Sequence, residues 1–174
     1  MYNRDEIQLR ECRGEDASIL LEWENNKDNW RVSDRSEVLS LKDLESLIET
    51  QQNAENSYDL DQYRYLICES KTGRPIGTID FYETDWEKDT AYVGILIAKR
   101  EDRGKGAGAI ALELILGRMS QELELEKAFA RIMPDNEASV RLFEKAGFKK
   151  NLEENQRGEQ DADYIEFVCE LEKK

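Results

Sequence analysis

Six consecutive residues, Arg103-Gly104-Lys105-Gly106-Ala107-Gly108, lie between a strand-like run and an apolar helical one. Glycine tolerates positive φ and lets another group approach the backbone closely. The free N–H groups at the start of a helix attract phosphate oxygens. Three glycines in five positions, flanked by Arg103 and Lys105, therefore read as an anion cradle or, more simply, as a tight strand-to-helix turn. Proton-transfer chemistry has fewer sources, because the chain contains no histidine. That removes imidazole relays and His-bound zinc and leaves carboxylates, tyrosines, thiols and backbone groups. Asp80 is the first candidate base: within Ile76–Tyr82 it alternates away from Ile79 and Phe81, so it is either an acid with a task or a strand-end carboxylate in solvent. Glu83 is the second.

The elements that must position these groups follow from periodicity. Ile7–Cys12 alternates as a strand, and Gly14 opens a helical pattern through Ile19, Leu20 and Trp23. Ser40 with Asp43 forms a capping box for a helix over about 41–52, whose stripe is Leu41, Leu44, Leu47 and Ile48. Tyr63–Glu69, a turn at 71–75 and Ile76–Tyr82 make a hairpin, and Thr90–Ala98 adds a third neighbouring strand. A largely buried helix runs from Lys105 to about Leu123, and Lys127–Met133 is a strand. Asp135 or Asn136 caps a helix that stops at Gly147, and Ile165, Phe167, Cys169 and Leu171 share one face of a last strand. The order β-α-α-β-β-β-α-β-α-β-β predicts one α/β (mixed α+β) domain over residues 1–174, with a central, mostly antiparallel mixed sheet flanked by helices. The stretch Asn151–Asp163 reads as a solvated hairpin loop.

The chain has 174 residues, 25 basic and 39 acidic, for a net charge of −14. Such a field repels polyanions, which argues against nucleic acid and suits a cationic amine or serves solubility alone. No apolar run is long enough to span a membrane and Met1–Glu6 is polar, so a cytoplasmic protein off the membrane is expected. The three cysteines, Cys12, Cys68 and Cys169, form no C-x-x-C pair, and no metal is expected.

Spacing sorts the phosphate motifs. A nucleoside-triphosphate loop needs glycine where Lys99 stands and Ser or Thr where Gly106 stands. A dinucleotide fingerprint is met in part by Gly104, Gly106 and Ala109, but the polar link Lys99–Asp102 is unlike its tight turn. Arg103, Gly106 and Gly108 satisfy R-x-x-G-x-G, and on this motif the chain resembles the GCN5-related N-acetyltransferases (GNAT). Asn136-Glu137-Ala138-Ser139-Val140-Arg141-Leu142-Phe143-Glu144-Lys145-Ala146-Gly147-Phe148 is similar to that family's N-x-x-S-x-x-L-Y-E-K-x-G-F signature, and Pro75–Ile79 is similar to the hairpin before its cofactor strand. Trp23-Glu24-Asn25 and the Leu41–Ile48 stripe resemble the branch that acetylates ribosomal-protein N-termini.

The resemblance implies acetyl-CoA as co-substrate, with its pyrophosphate on the backbone of Arg103, Gly104, Lys105, Gly106, Ala107 and Gly108. Its pantetheine arm would lie along Ile95, Leu96 and Ile97 and against Asn136, Ser139 and Phe143, the alternative for Asn136 being a helix cap alone. The reaction implied is direct acetyl transfer to a primary amine, a peptide N-terminus or a small amine, by a monomer or homodimer. Two positions depart from the family: Tyr92 stands where an acidic residue is often found, and Phe143 replaces a tyrosine often invoked to protonate the leaving thiolate. An acyl-CoA-binding module with weak or lost transfer is the alternative those departures raise.

Overall fold

The computed structural model describes residues 1–30, 38–153 and 164–172. Seven strands, β1 (Ile7–Glu11), β2 (Tyr63–Glu69), β3 (Pro75–Asp85), β4 (Thr90–Ile97), β5 (Lys127–Ile132), β6 (Lys149–Lys150) and β7 (Ile165–Glu170), form one sheet in the order β1-β2-β3-β4-β5-β7-β6. Among the described residues the complete α-helices are α1 (Ala17–Asn25), the short α2 (Lys27–Trp30), α3 (Leu41–Asn53), α4 (Ala107–Gln121) and α5 (Glu137–Lys145). The expected element order is observed, with α2 as an addition. Every pairing is antiparallel except β4 with β5, which α4 joins as a crossover.

Strand β2 shows why the sheet is sandwiched. Its side chains alternate, Tyr65 and Ile67 entering one apolar cluster with Ala111, Leu112 and Ile115 of α4, and Leu66 and Cys68 entering a second with Leu20, Trp23, Leu44 and Ile48 of α1 and α3. A strand covered on both faces reads as a nearly continuous apolar run. Leu41 departs from the expected α3 stripe, being 40% exposed. Ser40 and Asp43 form the expected capping box of α3, each side chain bonding the other's backbone N–H.

The parallel ladder between β4 and β5 covers only Thr90–Tyr92 against Lys127–Phe129, although both strands continue beyond it. The strands splay there and leave a wedge on the open side of β4. Among the described residues, no helix is long and apolar enough to cross a membrane and no cluster of His, Cys, Asp and Glu could hold a metal ion. The expected loop at Asn151–Asp163 lies for the most part outside the described residues.

Candidate active site

The wedge is a cleft of about 370 Å³ whose walls include Val93–Leu96 of β4, Ile132 at the end of β5 and Met133 after it, and Asn136, Ser139 and Phe143 from the N-cap and body of α5. The N–H of Ala98 donates to Ile76 O on the β3 side. Alternation along β4 then turns the backbone groups of Ile97 and Ile95 toward the wedge, beyond Tyr92, the last residue of β4 that pairs with β5. Of the expected Ile95-Leu96-Ile97 ladder, Leu96 thus directs its backbone to β3. The Ile97 carbonyl is already taken by Arg103 Nε at 2.9 Å, which leaves the Ile95 N–H and C=O and the Ile97 N–H as the open groups.

At the head of the wedge, Gly104 (φ 71°) and Gly106 (φ 89°) are both left-handed, and Gly106 is the N-cap of α4. The turn therefore requires glycine at these two places. It leaves the first-turn amides of α4, from Ala107 onward, without intrahelical acceptors. Gly108 sits inside the helix, where an added Cβ would touch Leu142, Ile95 and Ile97 at 3.5–3.9 Å. The Arg103 side chain points elsewhere: it donates to Ile97 O, Ala98 O and the buried Asn29 Oδ1. Of Arg103, only the backbone is left on the loop's side. A Cβ on Gly106 would face Met1 Sδ at 3.1 Å and the Tyr2 carbonyl at 3.6 Å. Gly106→Val is therefore expected to act by forcing φ out of the left-handed region and turning the α4 amides away. Calorimetric CoA affinity should fall at least tenfold in a folded protein, and unchanged affinity would remove these amides from the site.

Asn136 is the N-cap of α5, its Oδ1 accepting from Ser139 N at 3.2 Å. The capping role is met, and only the Asn136 amide hydrogens remain for a ligand. Phe143 is 3% exposed, packs edge-on against Phe148 at 5.0 Å, and still contributes to the cleft wall. It is core residue and site wall at once.

Asp80 is buried, not a strand-end acid in solvent. Its Oδ2 accepts from Arg64 Nη2 at 3.0 Å and Gln62 Nε2 at 2.9 Å. Arg64 Nη1 reaches Glu24 Oε1 at 2.6 Å, so one guanidinium, 4% exposed, lies between two carboxylates that are 7% and 8% exposed. The two carboxylates push the Arg64 pKa upward against the opposing cost of burial. The other Asp80 oxygen, Oδ1, faces Gly94 of β4, where an added Cβ would come within 3.2 Å of it. The clamped oxygen fixes the carboxylate and the second one borders the cleft beside the open edge of β4.

Glu83 lies in a bulge of β3, with φ 47°, and accepts from Arg131 Nη1 at 2.8 Å. Arg131 also stacks over the Tyr92 ring at 3.9 Å. Tyr92 donates its hydroxyl to Glu166, a buried acid of β7 that also accepts from Asn151 Nδ2 at 2.7 Å. Burial and Glu166 push the Tyr92 phenol well above its ordinary pKa. Position 92 thus sets a phenol against the carboxylate of another strand.

Gln62, Arg64, Arg131 and Tyr164 of the cleft wall escaped the sequence reading, and Glu24 entered it only through the branch resemblance. Arg64 left a usable trace, a charge inside the otherwise apolar run Tyr63–Cys68, and Glu24 another, one position after Trp23 on the buried side of α1. Of the residues carrying the ribosomal-branch resemblance, Trp23 packs in the second core, Glu24 holds Arg64, and Asn25 exchanges hydrogen bonds with the backbone of Leu39.

Known proteins align with this geometry. The spermidine N-acetyltransferase of Vibrio cholerae, solved with CoA and spermine, superposes with a TM-score of 0.81 over 97% of both chains at 19% identity. A domain from Methanocaldococcus jannaschii gives 0.74 over 95% of this chain and 98% of its own at 23% identity. These likenesses establish the fold. Probable N-acetyltransferase YjcK of Bacillus subtilis is 33% identical over 91 residues, 52% of this chain and 50% of that protein. N-acetyltransferase p20 of Bacillus licheniformis, itself uncharacterized, is 24% identical over 84% of this chain and 80% of its own. The match thus spans about half the length of a relative such as YjcK. The model of the acetyltransferase (GNAT) domain matches residues 6–149. With the splayed strands, the left-handed glycine turn and this match in agreement, the chain belongs to the GNAT acetyltransferase domain family.

Proposed function

We propose that this protein is an N-acetyltransferase of the cytoplasm that moves an acetyl group directly from acetyl-CoA to a primary amine, a peptide N-terminus or a small amine. The observation that carries the reading is the conjunction of an unpaired β4 edge, a left-handed glycine cradle at one end of it and the Asp80 carboxylate beside it. The cradle amides fit a pyrophosphate and the open groups of Ile95 and Ile97 fit an extended amide-bearing arm. An N–H at that edge is placed to stabilise negative charge developing on the thioester oxygen. Asp80 Oδ1, or a water it holds, accepts the proton that the amine must lose. Holding amine and thioester in one cleft removes much of the entropic barrier.

Two carboxylates on one buried guanidinium leave a negative balance near the reaction site, which favours an acceptor that arrives as a cation. The substrates named for the Vibrio cholerae relative, spermidine and spermine, are of that kind. CoA calorimetry combined with thiol release across a panel of peptides and small amines tests the proposal. Binding with release supports it, binding without release on any amine favours the acyl-CoA-binding alternative, and no CoA binding overturns both.

Phe143 allows a separate prediction. With no hydroxyl there, the departing thiolate, whose thiol has an ordinary pKa near ~8.5, leaves unassisted by that side chain. Phe143→Tyr is expected to leave CoA affinity unchanged and to raise turnover several-fold where protonation limits the rate. Unchanged turnover would mean that water or another group already serves.

A further inference from the structure

The glycine turn must hold one shape before a pyrophosphate arrives, yet two left-handed glycines make it intrinsically pliable. A network outside the cleft constrains it. Asp102 closes the 3₁₀ turn that leads into the loop, and its side chain is 2% exposed. Both of its oxygens are held by Arg74, through Nη1 at 3.0 Å and Nη2 at 2.9 Å. Arg74 belongs to the β2–β3 turn and also donates to both oxygens of Glu69, at 3.2 and 2.8 Å. Glu69 in turn accepts from the Tyr2 hydroxyl at 2.7 Å, and the Tyr2 N–H donates to Lys105 O at 2.7 Å. Gly104 is therefore bracketed, by a side-chain clamp at Asp102 and a backbone clamp at Lys105.

We propose that Arg74 is a positioning residue for the cofactor: by its two-pronged grip on Asp102 it holds the 103–108 loop in the shape that receives the pyrophosphate of CoA. The inference rests on reading that loop as the CoA cradle. A planar guanidinium holding two oxygens of one carboxylate fixes orientation as well as distance. The same hydrogen bonds hold the Asp102 carboxyl below its usual pKa, so it stays ionised and gripped at neutral pH. Arg74 acts through Asp102 and need not touch the ligand.

A double-mutant cycle on CoA affinity, read by calorimetry, tests this. Arg74→Ala and Asp102→Asn are each expected to weaken CoA roughly tenfold, and the double variant to be no weaker than either, because both break one clamp. Pantetheine, which lacks the pyrophosphate, should bind all variants alike, with thermal unfolding tracking the fold in parallel. A direct charge effect gives the opposite pattern: Arg74→Ala weakens CoA while Asp102→Asn, which frees a cation, leaves it unchanged or tightens it. That pattern, additive losses, an equal loss of pantetheine or no loss at all would each overturn the proposal. Should Asp102→Asn fail to fold, Arg74→Lys replaces it, keeping the charge without the paired geometry. Weakened CoA then supports positioning and full affinity overturns it. Absence of CoA binding by the unsubstituted protein would instead remove the cradle reading beneath it.

Discussion

Asp80→Asn is expected to lower acetyl transfer at neutral pH by roughly 10²–10⁴-fold, the range typical of losing a positioned base, while CoA affinity stays as it was. Asparagine keeps the shape, and its Oδ1 can still accept from Arg64 and Gln62 as the clamped Asp80 oxygen does. What disappears is the second oxygen's capacity to take a proton beside Gly94. The deficit should shrink as pH rises, because an alkyl amine with a pKa near ~10.4 arrives deprotonated more often with each unit. A pH–rate profile of the variant against the unsubstituted enzyme reads this directly. A pH-independent deficit would point to lost orientation, and full activity near pH 7 would pass the role to Glu83 or to ordered water.

Arg64→Met should produce the largest loss of stability. The substitution leaves Glu24 and Asp80 buried without their shared cation, a situation that costs about 3–5 kcal/mol when one partner of a buried pair is removed. Methionine fills much of the volume, so the loss comes from stranded charge rather than from a cavity. The backbone of Arg64 remains held by the Gln51 side chain, whose Nε2 donates to Arg64 O at 2.9 Å and whose Oε1 accepts from Arg64 N at 2.8 Å. Adding Glu24→Gln should therefore recover part of the stability, since one stranded charge is then gone. Urea titrations of the single and double variants measure both steps. A loss below about 1 kcal/mol for Arg64→Met would mean that water already reaches the cluster, and that its charges are solvated instead of paired.

Periodicity carried most of the fold by itself. Alternation along Tyr63–Glu69 and the 3.6-residue spacing of Leu44 and Ile48 are consequences of backbone geometry that hold wherever the segment packs, so the order of strands and helices was legible in the chain. The glycine turn was legible for the same reason, because left-handed φ at Gly104 and Gly106 is a local demand that only glycine meets freely. The R-x-x-G-x-G spacing and the Asn136–Phe148 stretch then carried the family. Which face each charge occupies was settled only by tertiary structure. Arg103 lies in the phosphate motif, yet its guanidinium is drawn to Asn29, 74 positions away in sequence. Asp80 looked equally fit for solvent until Arg64, from the neighbouring strand, and Glu24, from a helix, met beside it. Tyr92 meets its carboxylate partner, Glu166, on β7, 74 positions away. Hydrogen bonds and ion pairs act over about 3 Å and bind no fixed sequence separation, so a one-dimensional pattern can mark a charged residue as out of place without showing its partner. The wedge is the same kind of fact: β4 and β5 each satisfy a strand pattern to their ends, and only their divergence after Tyr92 and Phe129 opens the space in which chemistry can occur.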